Sequence, residues 1–210
     1  MFTGFTSFAQ TNSIGKSDPD AKKILDNVSA KFQTYKTIEA HFNLKIENSA
    51  GKVLGTKNGV VNMKDSKYRI SVPGQEIYSD GINIWTVDKS ANEVQITKFD
   101  GSANTITPQK IFTNFYDKDF LYKLNGETKQ GSKMLQEIEL TPVDKTKPFF
   151  KVLVEVDKKT QSIVSTKVFQ KTGDRYTYTI TGLKTNINLA DGLFVFNATD
   201  YPKVEVIDLR

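Results

Sequence analysis

A strict alternation of apolar and polar residues constrains the fold of this chain more than any other feature. Between residues 38 and 46 the apolar side chains occupy every second position: Ile38, Ala40, Phe42, Leu44 and Ile46. The residues between them are almost all polar or charged, so one face of the segment is apolar and the other faces water. This period of two predicts a half-buried strand of an antiparallel sheet.

Shorter runs of the same kind recur along most of the chain, with turn residues between them. We expect further strands at 59–63, 67–72, 75–78, 83–87, 93–97, 134–140, 150–156, 162–169 and 175–180, and near Phe194 and Val204. Strands of this number with few helices predict a mainly β fold in which one large sheet curls around an interior.

Two segments have the spacing of helices. The first runs from Asp18 to Tyr35, where Asp18 is a helix cap and Pro19 fits the first helical position. Its apolar residues share one stripe: Ala21, Ile24, Leu25, Val28, Phe32 and Tyr35. The second begins at Thr107-Pro108, and its apolar residues also share one side: Ile111, Phe112 and Phe115. Each helix is expected to lay its apolar side against the sheet.

Length and composition predict a single globular domain at 18–210. The chain has 210 residues, of which 38% are hydrophobic and 25% charged. No apolar run approaches the roughly 18 residues that a membrane-spanning helix needs. Residues 1–17 are interpreted as a signal-peptide remnant or a disordered tail. Ser7 and Ala9 have the small-x-small spacing of a cleavage site, although no basic residue precedes Lys16.

Charge and cysteine content exclude several classes of function. The formal net charge is +5, but the basic residues are scattered, so the charge predicts a solvated surface rather than a nucleic-acid site. There are no cysteines, which excludes disulfides, thiolate nucleophiles and cysteine-held metals. It also excludes the acylated cysteine that tethers a bacterial lipoprotein.

No catalytic or metal-binding motif survives inspection, so neither catalytic residues, nor a metal, nor a cofactor is expected. His41 is the only histidine, and it lies on the polar side of the alternating strand. The segment 126–133 spaces its glycines like a phosphate loop, but Ser132-Lys133 reverses the required order and we interpret the segment as a hairpin loop. Aspartate pairs at 18 and 20 and at 117 and 119 do not continue into a calcium loop.

An ordered set of motifs in the middle of the chain points to a known family. It comprises Tyr68-Arg69-Ile70, Pro73, Asp80-Gly81, Trp85, Val94 and Thr107-Pro108. This set resembles the central signature of the LolA-like periplasmic lipoprotein carriers. The opening helix and strand and the closing stretch LFVFNATDYPKVEVID also resemble that family, so the resemblance covers residues 18–210.

The resemblance implies a fold, a function and a location. The fold is an unclosed (half) antiparallel β-barrel with a helical lid over an apolar cavity. The function is that of a periplasmic chaperone, soluble and not lipid-anchored, which carries acylated lipoproteins from the inner to the outer membrane. Its expected partners are an inner-membrane ATP-driven exporter and an outer-membrane acceptor, and it is expected to be a monomer that binds no nucleic acid.

The resemblance also assigns roles to residues. The matching arginine, Arg69, is expected to hydrogen-bond the lid and favour the closed, empty state, because a guanidinium can grip several carbonyls. Trp85 is expected to anchor the hairpin by packing. Cavity-lining residues are expected on the first strand and on the lid: Phe42, Leu44, Ile46, Ile111, Phe112 and Phe115.

Departures from the family pattern leave alternatives open. Many members carry a tryptophan where this chain has Ile70, and a basic-proline pair where it has Lys64-Asp65. These differences bear on the branch of the family and the identity of the cargo. A related periplasmic carrier or sensor with a different lipid is the first alternative. A membrane-bound acceptor would need a cysteine that the chain lacks, and an enzyme would need a catalytic pair assembled by the fold.

Overall fold

The computed structural model describes residues 17–100 and 119–210. The α-helix α1 spans Pro19–Gln33. Twelve strands follow in the described ranges: β1 Thr37–Glu47, β2 Val53–Lys64, β3 Lys67–Val72, β4 Gln75–Ser79, β5 Asn83–Asp88, β6 Glu93–Lys98, β7 Phe120–Gln130, β8 Lys133–Pro142, β9 Phe149–Asp157, β10 Ser162–Gln170, β11 Arg175–Thr185 and β12 Glu205–Asp208. Short 3₁₀ turns at Asp191–Phe194 and Ala198–Asp200 precede the last strand.

All twelve strands belong to one sheet, in the order β12-β6-β5-β4-β3-β2-β1-β11-β10-β9-β8-β7. Neighbours are antiparallel, except that β12 runs parallel to β6. In the described part of the chain, β7 and β12 lie at opposite ends of this order and do not pair, so the sheet is not closed. The predicted fold class, a mainly β fold with an unclosed sheet, is therefore confirmed.

The helix α1 is fixed to the sheet at its first turn. The Asp18 carboxylate accepts hydrogen bonds from the backbone N–H groups of Asp20 and Ala21, which closes the helix N-terminus. It also accepts one from the N–H of Leu124 in edge strand β7, at 3.1 Å, while the Asp18 N–H donates to the Tyr122 carbonyl at 2.9 Å. These bonds satisfy edge groups that would otherwise face solvent. No described helix has the length and apolarity to cross a membrane.

One face of the sheet, the front face, packs against α1. Its buried residues form two clusters. The β9 cluster lies under the first half of α1 and includes Leu25, Val28, Tyr122, Ile138, Leu140 and Val154. The β1 cluster continues it across the middle of the sheet and includes Ile38, Ala40, Phe42, Val61, Met63 and Tyr68, with Phe32 of α1 and Tyr35, just after the helix, packed against it.

The other face, the back face, is covered at one side by the segment 194–204. The buried residues here, the Trp85 cluster, come from three neighbouring strands: Tyr78, Trp85, Val87, Val94 and Ile96. Phe196, Tyr201 and Val204 of the covering segment pack against them. The chain reaches this face after β11, and the Asp191 carboxylate pairs with Lys64 and Lys67 on the way, at 3.0 and 2.9 Å. It then ends as β12 beside β6.

Three details differ from the sequence-based prediction. The segment 120–130 forms strand β7, which was not predicted, because its polar half is held only by the ladder to β8. The segment 126–133, interpreted as a loop, is mostly strand on either side of a tight turn at Gly131-Ser132. Phe194 ends a 3₁₀ turn rather than lying in a strand, and it is fully buried there.

Two predicted regions lie outside the described residues. The first is the tail at 1–16, with its small-x-small spacing. The second contains the predicted helix that starts at Thr107-Pro108, with the expected cavity residues Ile111, Phe112 and Phe115. Those assignments stay predictions.

Candidate functional site

A small apolar cavity lies on the front face between the second half of α1 and the sheet. Its volume is about 40 Å³. Most of its lining is apolar and comes from α1, β1, β2, β10 and β11: Val28, Phe32, Ile38, Met63, Ile163 and Ile180. A cavity of this size accommodates a few water-sized groups, whereas pockets for drug-sized ligands measure several hundred Å³. This cavity therefore admits a long acyl chain only if α1 moves away from the sheet.

A lysine fastens α1 at the rim of this cavity. The Lys31 ammonium, in the last helical turn, donates to the carbonyl of Thr160 and to Ser162 Oγ, the latter at 3.0 Å. Both acceptors lie at the β9–β10 hairpin, so these bonds hold the C-terminal half of α1 to the strands that line the cavity. Their net contribution is modest, about 1–3 kcal/mol for hydrogen bonds to a charged group. The polar contact at this end of α1 is thus weak beside the burial of Leu25 and Val28 in the β9 cluster.

The predicted cavity residues of β1 all face the front. Phe42 is buried in the β1 cluster and Leu44 packs against that cluster. Ile46 is half-buried at the far end of the same strand face, beside a bulge at Glu47. The structure thus brings together the three β1 residues that alternation selected.

Gly59 makes the space that the Phe42 ring occupies. A Cβ atom at Gly59 would lie 2.4 Å from Phe42 Cζ and 2.8 Å from Val72 Cγ1. Contacts this short are not tolerated, so any larger residue at this position would push the Phe42 ring outward or displace β3. The glycine therefore sets the depth of the front face opposite β1.

Strand β11 adds aromatic surface that was not predicted. Tyr176, Tyr178 and Ile180 lie opposite Ile46, Leu44 and Phe42 in the register of the two strands. The Tyr178 ring lies 6.0 Å from that of Phe42, and Tyr178 is 38% exposed on the front face. The period of two at residues 176, 178 and 180 would have revealed these positions, because alternate residues share one face.

Arg69 lies on the back face, away from α1 and the cavity. Its neighbours Tyr68 and Ile70 face the front, and Arg69 is paired across the ladder with Tyr78 of the Trp85 cluster. The guanidinium donates to one oxygen of Glu76, from Nε at 3.0 Å and from Nη2 at 2.5 Å. Its carbon also lies 4.8 Å from the centre of the Tyr78 ring, in a cation–π arrangement.

Glu76 lies at the centre of this back-face network, and the sequence analysis did not identify it. Besides Arg69, it accepts hydrogen bonds from the Tyr78 hydroxyl at 2.8 Å and from the Lys89 ammonium at 2.7 Å. The Glu76 side chain is 10% exposed. Burial opposes ionisation, but the bonds from Lys89, Tyr78 and Arg69 outweigh it and lower the pKa of the Glu76 carboxyl to about 2. The group is therefore a carboxylate at neutral pH.

The network extends to the covering segment through two tyrosines. A carboxylate accepts but does not donate, so the Tyr78 hydroxyl hydrogen points to Glu76. The Tyr201 hydroxyl, 2.7 Å from that of Tyr78, must then be the donor of their shared bond. Burial and these two contacts raise the pKa of the Tyr78 hydroxyl far above its usual value. This chain of bonds ties the segment 194–204 to strands β3 and β4.

Trp85 belongs to the same back-face core. It lies between Tyr78 and Ile96 in the strand register and is 9% exposed. Its indole therefore packs under the covering segment, on the side of the sheet opposite to the cavity. This position fits the expected role of Trp85 as a packing anchor and separates it from the front face.

His41 lies on the back face as the polar side of the alternation predicted. Its side chain is 45% exposed, and Nε2 lies 3.2 Å from the Glu39 carboxylate. That carboxylate also pairs with the Lys184 ammonium at 2.8 Å. The arrangement is a surface group of charged and polar side chains.

Comparison with known families and proteins gives a consistent result. The family model described as outer membrane lipoprotein carrier protein LolA matches residues 33–197. An outer-membrane lipoprotein carrier protein of Cupriavidus necator is 30% identical over 158 residues, which are 73% of this chain and 72% of that protein. Its counterpart in Cupriavidus taiwanensis is 29% identical over 150 residues, or 69% of this chain and 68% of that protein.

A solved structure also shares the fold. An uncharacterized conserved protein from Thermus thermophilus superposes with a TM-score of 0.59 over 90% of this chain and 99% of its own. The two are 13% identical in sequence, so this likeness speaks to the fold alone.

Proposed function

The chain belongs to the LolA family of outer-membrane lipoprotein carrier proteins, and from that premise we propose that it binds the acyl chains of lipoproteins on its front face and carries them across the periplasm to the outer membrane. Members of this family are carriers and not enzymes. The chain is accordingly a lipoprotein carrier in its general role. The proposal concerns the site, the route and the partners.

The observation that carries the proposal is the apolar front face beside α1. Phe42, Leu44 and Tyr178 form a continuous surface there, next to the cavity that α1 covers. Each methylene group removed from water contributes about 0.8 kcal/mol, so an acyl chain needs a surface of this kind to leave a membrane. Displacing α1 would open the adjoining cavity and so extend that surface for the chain, and closing α1 would reduce it again.

The proposed route needs two partners at its ends. We infer that an inner-membrane, ATP-driven exporter supplies the cargo and that an outer-membrane acceptor receives it. A binding face whose accessibility depends on α1 can pass cargo on when the acceptor offers a larger gain in burial than the carrier does. The carrier then needs no energy source of its own.

The site can be tested with tryptophan fluorescence. The native Trp85 lies on the back face, opposite to the proposed site, and therefore serves as the control. The test variant combines Trp85→Phe with Tyr178→Trp, which moves the indole to the front face. A lipopeptide with brominated acyl chains is expected to quench the moved tryptophan strongly and Trp85 weakly. Equal quenching of both, or stronger quenching of Trp85, would place the acyl chains elsewhere.

The route can be tested by transfer. Inner-membrane vesicles that contain a triacylated lipoprotein are incubated with ATP and the purified carrier, and native mass spectrometry detects the released complex. The proposal expects an ATP-dependent, soluble complex of carrier and lipoprotein. Capture of free lipid alone would instead favour a related carrier of the same fold with a different lipid cargo.

The gating role expected for Arg69 stays a prediction. Because the guanidinium lies on the back face with Glu76 and Tyr78, its contact with the front face is indirect in the described structure. A gating role predicts that Arg69→Leu binds cargo but releases it slowly to the acceptor. Transfer at the normal rate by a variant that still binds cargo would contradict this role.

A further inference from the structure

A second surface, on the back face far from the Trp85 cluster, concentrates positive charge around an aromatic ring. The cations Lys151, Lys167 and Arg175 lie 4.6, 5.6 and 5.7 Å from the centre of the Phe169 ring. We call these residues, together with Lys45 and the neighbouring Phe150, the basic patch. We propose that the basic patch docks the protein on a membrane surface that carries anionic phospholipid headgroups.

The strand register shows that the patch is built into the sheet. Directly paired residues run across β2, β1, β11, β10 and β9 in one row: Val53, Glu47, Arg175, Phe169 and Lys151. The next row on the same face contains Lys45 and Lys167, each opposite Thr177. With neighbouring strands about 4.8 Å apart, the first row spans about 19 Å. The cations are therefore held on a broad, ordered surface.

The patch has more positive than negative charge. Glu47, in the first row, pairs with Lys45 at 3.3 Å and with Lys167 at 3.2 Å. The second row continues through Leu153 to a further carboxylate, Glu139 on β8. Lys151 and Arg175 have no carboxylate partner among the described residues, and Arg175 donates only to the Ser49 carbonyl, at 2.7 Å. The four cations of the patch thus outnumber the two carboxylates of these rows, an imbalance that attracts anions.

Exposed apolar side chains accompany this charge. Phe150 is 50% exposed and packs against Phe169, with ring centres 6.1 Å apart. Val53, at the other end of the row, is 51% exposed. Apolar side chains flanked by lysine and arginine are typical of surfaces that lie in the headgroup region, where the apolar groups enter the interface and the cations stay at phosphate level.

The breadth of the patch favours a bilayer over an acidic peptide. Its charges are spread over several strands and do not converge on one point, and three of the four are lysines, which lack the fork that grips a single carboxylate. A bilayer presents many separate phosphates across such a width. The inference does not depend on the identity of the cargo.

The test is co-sedimentation of the whole chain with vesicles of phosphatidylcholine, alone or mixed with phosphatidylglycerol. Binding is expected only to the mixed vesicles, and it should weaken as salt is raised. Each basic residue near such a surface contributes about fivefold in partitioning, so Lys151→Glu is expected to weaken binding about 25-fold and Lys151→Gln about fivefold. Phe150→Ser should weaken it several-fold.

Lys129→Glu is the matched control, because Lys129 is exposed near the β7–β8 turn, which lies beside the end of β9 opposite to Lys151. It makes the same change in net charge, and binding is expected to fall less than about twofold. Circular dichroism checks that each variant is folded. No binding to the mixed vesicles, or equal losses for Lys129→Glu and Lys151→Glu, would overturn the proposal. The proposal would also be overturned if the protein bound polyglutamate in a way that depends on Lys151 but did not bind the mixed vesicles.

Discussion

Replacing Glu76 by glutamine should destabilise the protein in a way that depends on pH. The substitution keeps the size of the side chain but removes the negative charge that holds Arg69, Lys89 and the Tyr78 hydroxyl. Because the pKa of Glu76 lies at about 2 in the folded protein and near 4.5 otherwise, ionised Glu76 stabilises the fold. The difference corresponds to about 3 kcal/mol at neutral pH.

The sign of the pH dependence follows from the lowered pKa. A carboxyl with a depressed pKa stabilises the folded state fully above its unfolded value of 4.5, and that stabilisation is lost as the pH falls towards 2. The contribution is expected to shrink from about 3 kcal/mol at pH 7 to about 1.4 kcal/mol at pH 3. Other carboxyls also titrate in this range, but they are the same in both proteins and cancel in the difference.

Urea unfolding of the native protein and of Glu76→Gln, each at several values between pH 7 and pH 3, measures this difference. The gap in free energy of unfolding should narrow steadily as the pH falls. Glu205→Gln removes one charge from an exposed side chain on β12 and should leave the curve almost unchanged. Parallel curves for the native protein and Glu76→Gln would refute the assignment of a depressed pKa to this carboxyl.

Three further substitutions test other contacts. Gly59→Ala should lower the free energy of unfolding in urea by about 1–3 kcal/mol, because its Cβ would overlap the Phe42 ring. Unchanged stability would mean that β3 moves aside without a cost in free energy. Asp18→Ala should lower the free energy of unfolding by about 1–2 kcal/mol and speed amide exchange in the first turn of α1; exchange at the native rate would contradict a capping role. Lys31→Met should speed amide hydrogen exchange in the last turn of α1, since it removes the bond to Ser162. Faster exchange in the first turn alone would argue against a fastening role for Lys31.

The alternation at β1 was sufficient to predict that strand closely because one face is buried and the other is wet. The observed strand, Thr37–Glu47, exceeds the predicted one by one residue at each end. Where both faces are exposed, the pattern disappears. The second half of β7, from Asn125 to Gln130, is polar and exposed throughout, and only its hydrogen bonds to β8 define it as a strand. Such bonds depend on a partner strand and leave no trace in hydropathy.

The closing segment was misassigned for a different reason. Two phenylalanines separated by one residue, Phe194 and Phe196, have the spacing of a strand. A strand also needs a free sheet edge for its backbone groups, and the edge at β6 is taken by β12. The segment 194–204 instead crosses the back face and buries its aromatic rings by packing on Tyr78 and Trp85. Competition for the edge is a tertiary effect that spacing alone does not reveal.

The position of Arg69, in contrast, was implicit in the sequence. Pro73-Gly74 is a two-residue turn in which Gly74 adopts a φ of +86°, and a turn of that length pairs Val72 with Gln75. Counting back along both strands places Arg69 opposite Tyr78. The front-facing alternation of β3 then assigns Arg69 to the back face, whatever role a resemblance gives it. Among the described residues, an effect of Arg69 on cargo release could pass through Tyr78 to the segment 194–204, whose Tyr201 hydroxyl completes the same network.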